Sequence, residues 1–378
     1  MKILLVHISP IIKYPPALAV LQYLDDMGVE VLLCTTDIDS TTKSICEKRN
    51  IKVLNIDEKY EGDIGLFNKF LRMYKLKKIV WKEIDKNYDQ ETVLWIFSDL
   101  TLKHLGKKLF KYRYVLHMFE LSERTYFYRK FKFLFIKTQE YAQKALCVIQ
   151  AEYNRAHIAQ AWWNLNKTPF IITNKPYNLV NIQKNNKIST IIAERTIEKI
   201  KDKKIILYQG IINDERPLEN FIKAIDELGE DYAFVVMSGD PNIYQNIESK
   251  NFYYIPFIAS PLHLEVTSNA YIGILTYVPT NNEYSKLNSL YCAPNKLYEF
   301  SMFGIPMIGN DIPGVSYVFN TERCGTCFES FEKDSIIKAI NEIEKDYTNI
   351  AKNARNFYDK VDVRKQLELI IEDIKGKI

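Results

Sequence analysis

A lysine and a glutamate three residues apart, Lys296 and Glu299, have types and spacing suited to binding an anion beside a polyol. They follow Pro294 and Asn295 in the run Ala-Pro-Asn-Lys-Leu-Tyr-Glu. The first amides of a helix lack intrahelical partners and carry the positive end of its dipole, so those of Asn295 and Lys296 can bind a phosphate. Glu299 shares that face one turn on, where its carboxylate can accept hydrogen bonds from two hydroxyl groups, as a ribose offers.

The same pair has a second interpretation, as an ordinary ion pair on the protein surface. Such pairs contribute under about 1 kcal/mol and are common. The flanking residues favour a helix, because Pro294 suits a first turn, Gly304 suits a helix stop and Pro306 bars continuation. Residues 307–309 then begin the next predicted strand.

Alternating strand and helix patterns place this segment in the second of two α/β halves. Residues 2–9 and 29–35 are near-continuous apolar strands on either side of a helix at 17–27. Strands without polar alternation are buried on both faces, as in a parallel sheet covered by helices. Further strands are predicted at 51–56, 93–97, 114–119, 145–150 and 170–173, and in the second half at 204–209, 232–238, 252–256 and 271–275.

These patterns predict an α/β protein with two Rossmann-like domains that face each other across a cleft. The first domain takes residues 1–180, and a polar, lysine-rich hinge takes 181–203. The second domain takes 204–355, and a last helix at 356–378 packs back toward the first domain. Ligands of such sheets bind beyond the carboxyl ends of the strands, so we expect the functional site in the cleft.

Composition excludes several classes of protein. The 378 residues are 47% hydrophobic and 26% charged with a net charge of +4, as in globular domains and not in disordered chains. No apolar run reaches membrane-spanning length, and the first residues lack a signal-peptide cleavage site, which predicts a cytoplasmic protein. The loop after the first strand has no Gly-x-Gly-x-x-Gly motif for a dinucleotide.

Two short motifs that could bind a metal carry little weight. Cys324-Gly-Thr-Cys327 lacks a second pair of ligands for zinc. Asp37-Ile-Asp39 follows the second strand of a βαβ unit, where acidic loop residues are ordinary. We therefore expect neither a metal nor a cofactor.

The segment around Lys296 resembles the carboxyl-terminal signature of GT-B glycosyltransferases of the family 4 kind, glycosyl transferases group 1. Its pattern is Pro-x-Lys-x-x-Glu-x-x-x-x-Gly-x-Pro. The resemblance implies that Glu299 binds the ribose of a nucleotide-sugar, and adds Asn295 and Lys296 to the donor site. Residues 208–224 resemble the family's strand–glycine–basic–helix element, which implies that Gly210 and Arg216 bind the donor and that Arg216 holds its diphosphate.

The chain departs from the family's pattern at two positions. Tyr291 stands eight residues before Glu299, where the family often has a first glutamate that contacts the donor sugar. Pro217 follows Arg216 in place of the frequent glycine.

The run 114–121 resembles the strand end where the family places a catalytic or acceptor-side histidine or acid. Glu120 matches the acid of the family's His-Glu pair, Phe119 stands in place of its histidine, and His117 is a possible substitute. Glu120 and His117 are the two candidate catalytic residues. Side chains 117 and 120 point to opposite faces of a strand, so both can serve only if the strand ends between them. A structural role for His117 in the core is the alternative.

The resemblance implies a hexosyltransferase that moves a sugar from a nucleotide-sugar, with a UDP-sugar as first choice, to a lipid-linked or polysaccharide acceptor. The products would be cell-surface glycans such as capsule, O-antigen or exopolysaccharide. It also implies retention of the anomeric configuration. Arg216, Lys296 and the helix amides could stabilise the leaving diphosphate without a metal. A nucleotide-sugar epimerase of related fold and a non-catalytic nucleotide-sugar-binding protein are the alternatives.

Basic and aromatic residues of the first half predict peripheral contact with an anionic membrane, at the inner face of the plasma membrane. Each cation near such a surface contributes about 1 kcal/mol. A solvated helix face is the alternative, and no recognised module supports binding of nucleic acid. Three acid-free stretches carry the basic residues Lys69, Arg72, Lys75, Lys77, Lys78, Lys82; Lys103, Lys107, Lys108, Lys111, Arg113; and Arg124, Arg129, Lys130, Lys132, Lys137. The aromatic residues of the last stretch are Tyr126, Phe127, Tyr128, Phe131, Phe133 and Phe135.

Overall fold

Two parallel sheets organise the chain, one in each of two structural units. The structure is a computed structural model that describes residues 1–56, 66–127, 133–177, 182–280 and 285–378. The first unit contains Met1–Thr173 and Asp362–Ile378, and the second contains most of the chain between them. Among the described residues, no helix is long and apolar enough to cross a membrane.

The first unit alternates strands and helices as the sequence predicts. Its strands are β1 Lys2–His7, β2 Glu30–Thr36, β3 Lys52–Ile56, β4 Thr92–Phe97, β5 Tyr114–His117, β6 Thr125–Tyr126, β7 Phe135–Ile136, β8 Cys147–Gln150 and β9 Phe170–Ile171. Its helices are α1 Pro15–Asp26, α2 Ser40–Lys48, α3 Leu66–Asn87, α4 Ser98–Leu105, α5 Thr138–Lys144, α6 Tyr153–Trp163 and, at the end of the chain, α15 Val363–Lys375. Two 3₁₀ helices lie at Ile11–Lys13 and Gly106–Lys111.

Seven of these strands form one sheet in the order β3-β2-β1-β4-β5-β8-β9, and all its pairs are parallel. The central strands are buried along their length, which explains their apolar runs. The strand order reverses between β1 and β4, whose carboxyl ends are His7 and Phe97. β5 ends at His117, two residues before the end that the sequence predicts, because the chain bends at Phe119.

The second unit repeats this architecture. Its strands are β10 Lys204–Gln209, β11 Tyr232–Ser238, β12 Phe252–Pro256, β13 Ile272–Leu275, β14 Met307–Asn310 and β15 Gly325–Phe328. Its helices are α7 Ile191–Lys199, α8 Glu219–Leu228, α9 His263–Thr267, α10 Lys286–Leu290, α11 Asn295–Met302, α12 Pro313–Glu322, α13 Lys333–Lys345 and α14 Tyr347–Lys360.

The six strands of the second unit form a parallel sheet in the order β12-β11-β10-β13-β14-β15. This is the strand order of a doubly wound nucleotide-binding sheet, and it reverses between β10 and β13. Apolar side chains bury both faces, with Leu207 and Val235 in one core cluster and Ile206 and Phe234 in the other. The prediction of two Rossmann-like units is confirmed.

The segment that the sequence assigns to a hinge, residues 181–203, contains helix α7. Ala193 and Ile197 are buried on its inner face, and the helix packs on β12 within the second unit. The chain passes from the first unit to the second earlier, between Thr173 and Asn174. Ala193 and Ile197, four residues apart, form a narrow apolar stripe on this helix. Because most of their neighbours are charged, the composition of the segment is polar overall. Residues 178–181 lie outside the described part.

The last part of the chain, where the sequence predicts a helix at 356–378, contains three helices. Helices α13 and α14 belong to the second unit, and α15 belongs to the first, where it contacts α1 and β9. The break falls at Asp362, whose side chain accepts a hydrogen bond from the amide of Lys365 and so caps α15. The amide of Thr173 donates to Oε1 of Gln366 at 3.0 Å, which ties α15 to the chain after β9.

Candidate functional site

The residues that the sequence assigns to a donor site meet at the carboxyl edge of the second sheet, where the strand order reverses. Gln209 ends β10, and Gly210 follows it with a φ of +129°, a conformation that L side chains rarely adopt. Helix α11 packs closely over β13, because a Cβ on Gly273 would lie 2.4 Å from the ring of Phe300. This close approach brings the first turn of α11 to the loop after β10.

Lys296 carries a buried ammonium group at that edge. Its Nζ atom has no hydrogen-bond partner among the described residues, and it lies 4.2 Å from the ring centroid of Tyr208 and 5.5 Å from that of Tyr277. A Cβ on Gly210 would lie 3.5 Å from this atom. Burial, with a further contribution from the charge of Arg216, lowers the pKa of Lys296 well below its ordinary value. A buried cation without a hydrogen-bond partner is costly, and the charge of Glu299 offsets only part of that cost. An anion at the same place would offset more of it.

Arg216 reaches the same place from the loop between β10 and α8. Its guanidinium carbon lies 5.2 Å from the ring centroid of Tyr277. The backbone of Tyr277 is held by Asn310, whose side-chain amide accepts from the N–H of Tyr277 and donates to its carbonyl, both at 2.9 Å. The amide of Val278 donates to the carbonyl of Glu215 at 2.8 Å, which joins the loop after β13 to the loop that carries Arg216.

Glu299 is buried one turn after Lys296 and is held at both carboxylate oxygens. Oε1 lies 3.2 Å from Nε2 of His263, and Oε2 accepts from Nε2 of Gln209 at 2.5 Å. Burial acts to raise the pKa of Glu299, but His263, Gln209 and Lys296 outweigh it, and the net pKa is lowered. Glu299 is therefore an ionised acceptor. The surface ion pair with Lys296 is not formed, since both side chains are buried and Glu299 pairs with His263.

The start of α11 has the geometry that the sequence predicts, displaced by one residue. Pro294 is the N-cap residue with a φ of −74°, and the helix begins at Asn295. Pro294 makes no side-chain hydrogen bond to the first amides of the helix, and such amides, here those of Asn295 and Lys296, are suited to binding an anion. The helix ends at Met302, and Gly304 follows with a φ of +61°, as expected of a helix stop.

The first unit brings the candidate catalytic residues to the carboxyl edge of its own sheet. His117 is the last residue of β5 and is fully buried; its Nδ1 accepts from Nε1 of Trp95 at 3.4 Å, while Nε2 has no partner among the described residues. Burial lowers the pKa of His117 to about 3, so the ring is neutral. Glu120 is half-buried in the bend after the strand. The strand thus ends between the two residues, which is the condition for both to act.

A second buried histidine, His7, lies at the same edge and has no sequence motif. It ends β1, its ring centroid lies 4.4 Å from that of Tyr14, and neither ring nitrogen has a described hydrogen-bond partner. Burial lowers its pKa to about 3 against a smaller opposing effect from the backbone of Phe97. The rings of Phe97 and Phe119 pack between the two histidines, with centroids 5.6 Å apart.

Two further basic residues, Arg155 and Lys175, have structural contacts. Arg155 is buried, and its Nη1 donates to the carbonyl of Phe119 at 2.8 Å. Lys175 is buried within the second unit, where Nζ donates to the carbonyls of Tyr358 and Val361, both at 2.7 Å, and so caps the end of α14.

The two short motifs that could bind a metal have ordinary environments. Asp39 caps α2 by accepting from the amides of Thr41 and Thr42 at 2.8 and 3.0 Å. Cys324 and Cys327 are free thiols whose pKa burial raises to about 12. Within the described ranges, no three His, Cys, Asp or Glu side chains are grouped as metal ligands.

The predicted basic face is partly visible on α3. Leu71 and Tyr74 are 52% and 71% exposed, and Lys75 and Lys78 lie exposed on the same side of the helix. Lys108 instead pairs with Asp85 at 2.6 Å. Of the other predicted residues, Tyr128, Arg129, Lys130, Phe131 and Lys132 lie outside the described residues, as does the side chain of Lys69.

Comparison with families supports the assignment of the second unit. Residues 189–358 match the family described as glycosyl transferases group 1. That range contains every residue of the predicted donor site. A search of curated proteins finds no match to the sequence.

Solved structures share the fold of the whole chain at low sequence identity. HepE from Anabaena, solved in complex with UDP and glucose, has a TM-score of 0.68 and 13% identity, and 99% of each chain is covered. WaaG, a glycosyltransferase involved in lipopolysaccharide biosynthesis, has a TM-score of 0.61 and 11% identity, and 100% of each chain is covered. A putative UDP-N-acetylglucosamine 2-epimerase from Listeria monocytogenes has a TM-score of 0.59 and 15% identity over 94% of this chain and 90% of its own.

The resemblance that the residues around Lys296 indicate is thus confirmed. The chain has the GT-B fold of two Rossmann-like units, and its residues 189–358 match the family described as glycosyl transferases group 1.

Proposed function

We propose that this chain is a hexosyltransferase that moves a sugar from a nucleotide-sugar, with a UDP-sugar as first choice, to a lipid-linked or polysaccharide acceptor of cell-surface glycans such as capsule, O-antigen or exopolysaccharide. The observation that carries the proposal is the buried, unpaired ammonium group of Lys296 at the start of α11, one turn before the ionised carboxylate of Glu299. A diphosphate and a ribose are the ligand groups that this pair of charges suits. The family match over 189–358 supports the same donor class.

The proposed reaction breaks the bond between the anomeric carbon of the sugar and the donor diphosphate, and the departing diphosphate gains negative charge. Lys296, Arg216 and the first amides of α11 are the groups proposed to stabilise that charge, which is often the largest contribution to catalysis. Asn295 and Gly210 complete the donor site through their backbone. The cations of this chain make the proposed transfer independent of a metal, and full activity in excess EDTA is the expected result.

The first unit is proposed to bind the acceptor, with Glu120 and His117 as catalytic residues. A neutral imidazole with an unpaired Nε2 can exchange a hydrogen bond with a hydroxyl group, and a half-buried carboxylate can accept one. The proposed stereochemical course is retention, with the leaving phosphate helping to deprotonate the acceptor. Nuclear magnetic resonance of the first-formed product tests it, because an inverted anomeric signal contradicts retention.

The proposed location is the cytoplasm, at the inner face of the plasma membrane. Exposed Leu71 and Tyr74 beside Lys75 and Lys78 form an apolar and cationic helix face of the kind that binds anionic lipid. The expected result is co-sedimentation with vesicles that contain one third phosphatidylglycerol but not with pure phosphatidylcholine. Lys75→Gln with Lys78→Gln should weaken that binding roughly thirtyfold, since each of the two charges contributes about 1 kcal/mol. Unchanged sedimentation of the double variant argues for a merely solvated face.

Incubation with a panel of UDP-, GDP-, CMP- and dTDP-sugars separates this function from its alternatives. Release of nucleoside diphosphate, slow without acceptor and fast with an extracted lipid-linked or glycan acceptor, supports the transferase. A sugar recovered in epimerised form supports the epimerase, whose possibility the shared fold of the Listeria protein keeps open. Binding without turnover supports a non-catalytic nucleotide-sugar-binding protein.

A further inference from the structure

We infer that His263 is a positioning residue that orients Glu299 and thereby sets the preference of the donor site for a ribose over a 2′-deoxyribose. The inference rests on the proposed function, in which Glu299 accepts hydrogen bonds from the ribose hydroxyls. It concerns a residue that belongs to no recognised motif in the sequence and lies 36 positions before its partner.

Glu299 is clamped from two elements besides its own helix. Nε2 of His263, the first residue of α9, lies 3.2 Å from Oε1. Nε2 of Gln209, the last residue of β10, donates to Oε2 at 2.5 Å. Each carboxylate oxygen therefore has one protein donor, and the plane of the carboxylate is fixed by both.

The second donor is itself anchored to the helix that carries His263. The hydroxyl of Thr267 donates to Oε1 of Gln209 at 2.7 Å and lies 3.1 Å from the carbonyl of His263. Because the side-chain carbonyl of Gln209 accepts from Thr267, its amide is turned toward Glu299. One turn of α9 thus supplies one direct donor and orients the other.

The hydrogen-bond chemistry defines what His263 does. An ionised carboxylate only accepts, so Nε2 of His263 must carry the hydrogen. The other nitrogen, Nδ1, is buried and has no described partner. Lys296 also lowers the pKa of Glu299, and its effect is smaller than those of His263 and Gln209.

The arrangement leaves acceptor capacity for a ligand. Each carboxylate oxygen can accept two hydrogen bonds, and the protein uses one at each. Two vicinal hydroxyl groups can use the second position on each oxygen, whereas a 2′-deoxyribose can use only one. Both ribose hydroxyls can bond to the carboxylate at once only when the carboxylate has one particular orientation. A carboxylate that rotates freely would therefore lose much of the preference for ribose over 2′-deoxyribose.

The test is a comparison of ribose preference in variants of His263. Calorimetry gives the Kd of the intact protein for the nucleoside diphosphate that it binds best among UDP, GDP, ADP and CDP, for the 2′-deoxy form of that ligand, and for pyrophosphate. His263→Met removes the donor, and His263→Gln places an amide N–H near the position of Nε2. His157→Gln is the matched control, because His157 is exposed on α6 of the other unit.

The wild-type protein should prefer the ribose form by about tenfold to a hundredfold, the range for a hydrogen bond to a charged group. His263→Met should reduce that preference to about threefold or less and leave the Kd for pyrophosphate unchanged, while His263→Gln should restore most of it. If the role of His263 is merely structural, His263→Met should weaken the binding of the nucleoside diphosphate, its 2′-deoxy form and pyrophosphate by similar factors. If His263→Met does not fold, His263→Asn replaces it, since its amide sits at the position of Nδ1 and should behave like the methionine variant.

The outcomes separate the two proposals. A wild-type protein that binds no nucleoside diphosphate contradicts the proposed function, and the inference fails with it. Wild-type binding without ribose preference, or a folded His263→Met or His263→Asn variant with the full preference, overturns the role of His263 and leaves the proposed function standing.

Discussion

The ammonium group of Lys296 lies 4.2 Å from the ring centroid of Tyr208 and has no hydrogen-bond partner among the described residues. A cation over an aromatic face gains about 0.5–2 kcal/mol, which is less than the cost of burying an unpaired charge. The like charge of Arg216 adds to the cost. Burial of Lys296 therefore lowers the stability of the protein when no anion is bound, as expected of a residue that binds an anion.

Lys296→Met should stabilise the unliganded protein and abolish diphosphate binding. Burial lowers the pKa of Lys296 below the unfolded value of about 10.5. The resulting loss of folding stability is complete below the lowered pKa and disappears as the pH rises toward 10.5. Removing the charge should raise the melting temperature at pH 7 by a few degrees, about 2–4 °C for each 1 kcal/mol. Calorimetric titration with UDP and a thermal melt check both effects. Lys223→Met, at an exposed ion pair with Glu219, is the control that should change neither.

Arg216→Gln should weaken the phosphate contribution alone. Loss of a charge-assisted contact costs about 1.5–3 kcal/mol, a tenfold to hundredfold rise in the Kd for UDP. The affinity for uridine, which has no phosphate, should stay the same. Arg195→Gln, at an exposed position of α7, provides the comparison. Equal losses for UDP and uridine would mean that Arg216 supports the fold and not the diphosphate.

Gly210→Ala should damage both the fold and the site. The φ of +129° is strained for any L side chain and costs about 1–3 kcal/mol, and the new Cβ would lie 3.5 Å from Nζ of Lys296. Urea denaturation should show the loss of stability, and UDP affinity should fall with it. Gly239→Ala is the matched control at the end of the neighbouring strand, since its Cβ would meet Phe257 at an ordinary 3.5 Å. Equal stability of the two variants would argue against the strained conformation.

Stability should fall in acid through the buried histidines of the first unit. His7 and His117 have folded pKa values of about 3, below the unfolded value of about 6.5, so the unfolded chain binds more protons between these limits. Each contributes stability above pH 6.5 that is lost as the pH falls toward 3, at up to about 1.4 kcal/mol per pH unit. His117→Leu should reduce the slope of the free energy of unfolding against pH by the contribution of one proton, as measured by denaturant titrations between pH 7 and 4. A slope equal to that of the wild-type protein contradicts the buried, neutral state of His117.

The two sheets and one face of the donor site could be predicted from the sequence. Apolar runs predict the central strands because burial on both faces leaves no polar alternation, and Lys296 and Glu299 share a face because three residues span one helical turn. Helix α7 was not predicted, since its buried stripe of Ala193 and Ile197 is narrow among charged neighbours.

The partners of Glu299 could not be found from spacing. His263 and Gln209 lie 36 and 90 positions away, and only the packing of α9 and β10 brings them together. The same holds for His7, which ends β1 and approaches His117 only through the parallel order of β1, β4 and β5. Local patterns predict elements, whereas such clusters depend on the order of the strands.

The most direct measurement is calorimetric titration of UDP and UDP-sugars into the wild-type protein and the Glu299→Gln variant. We expect one class of nucleotide to bind the wild-type protein, and we expect Glu299→Gln to weaken that binding at least tenfold while the Kd for pyrophosphate stays the same. Equal nucleotide affinity in both proteins would contradict the claim that this edge of the second sheet binds a nucleoside diphosphate.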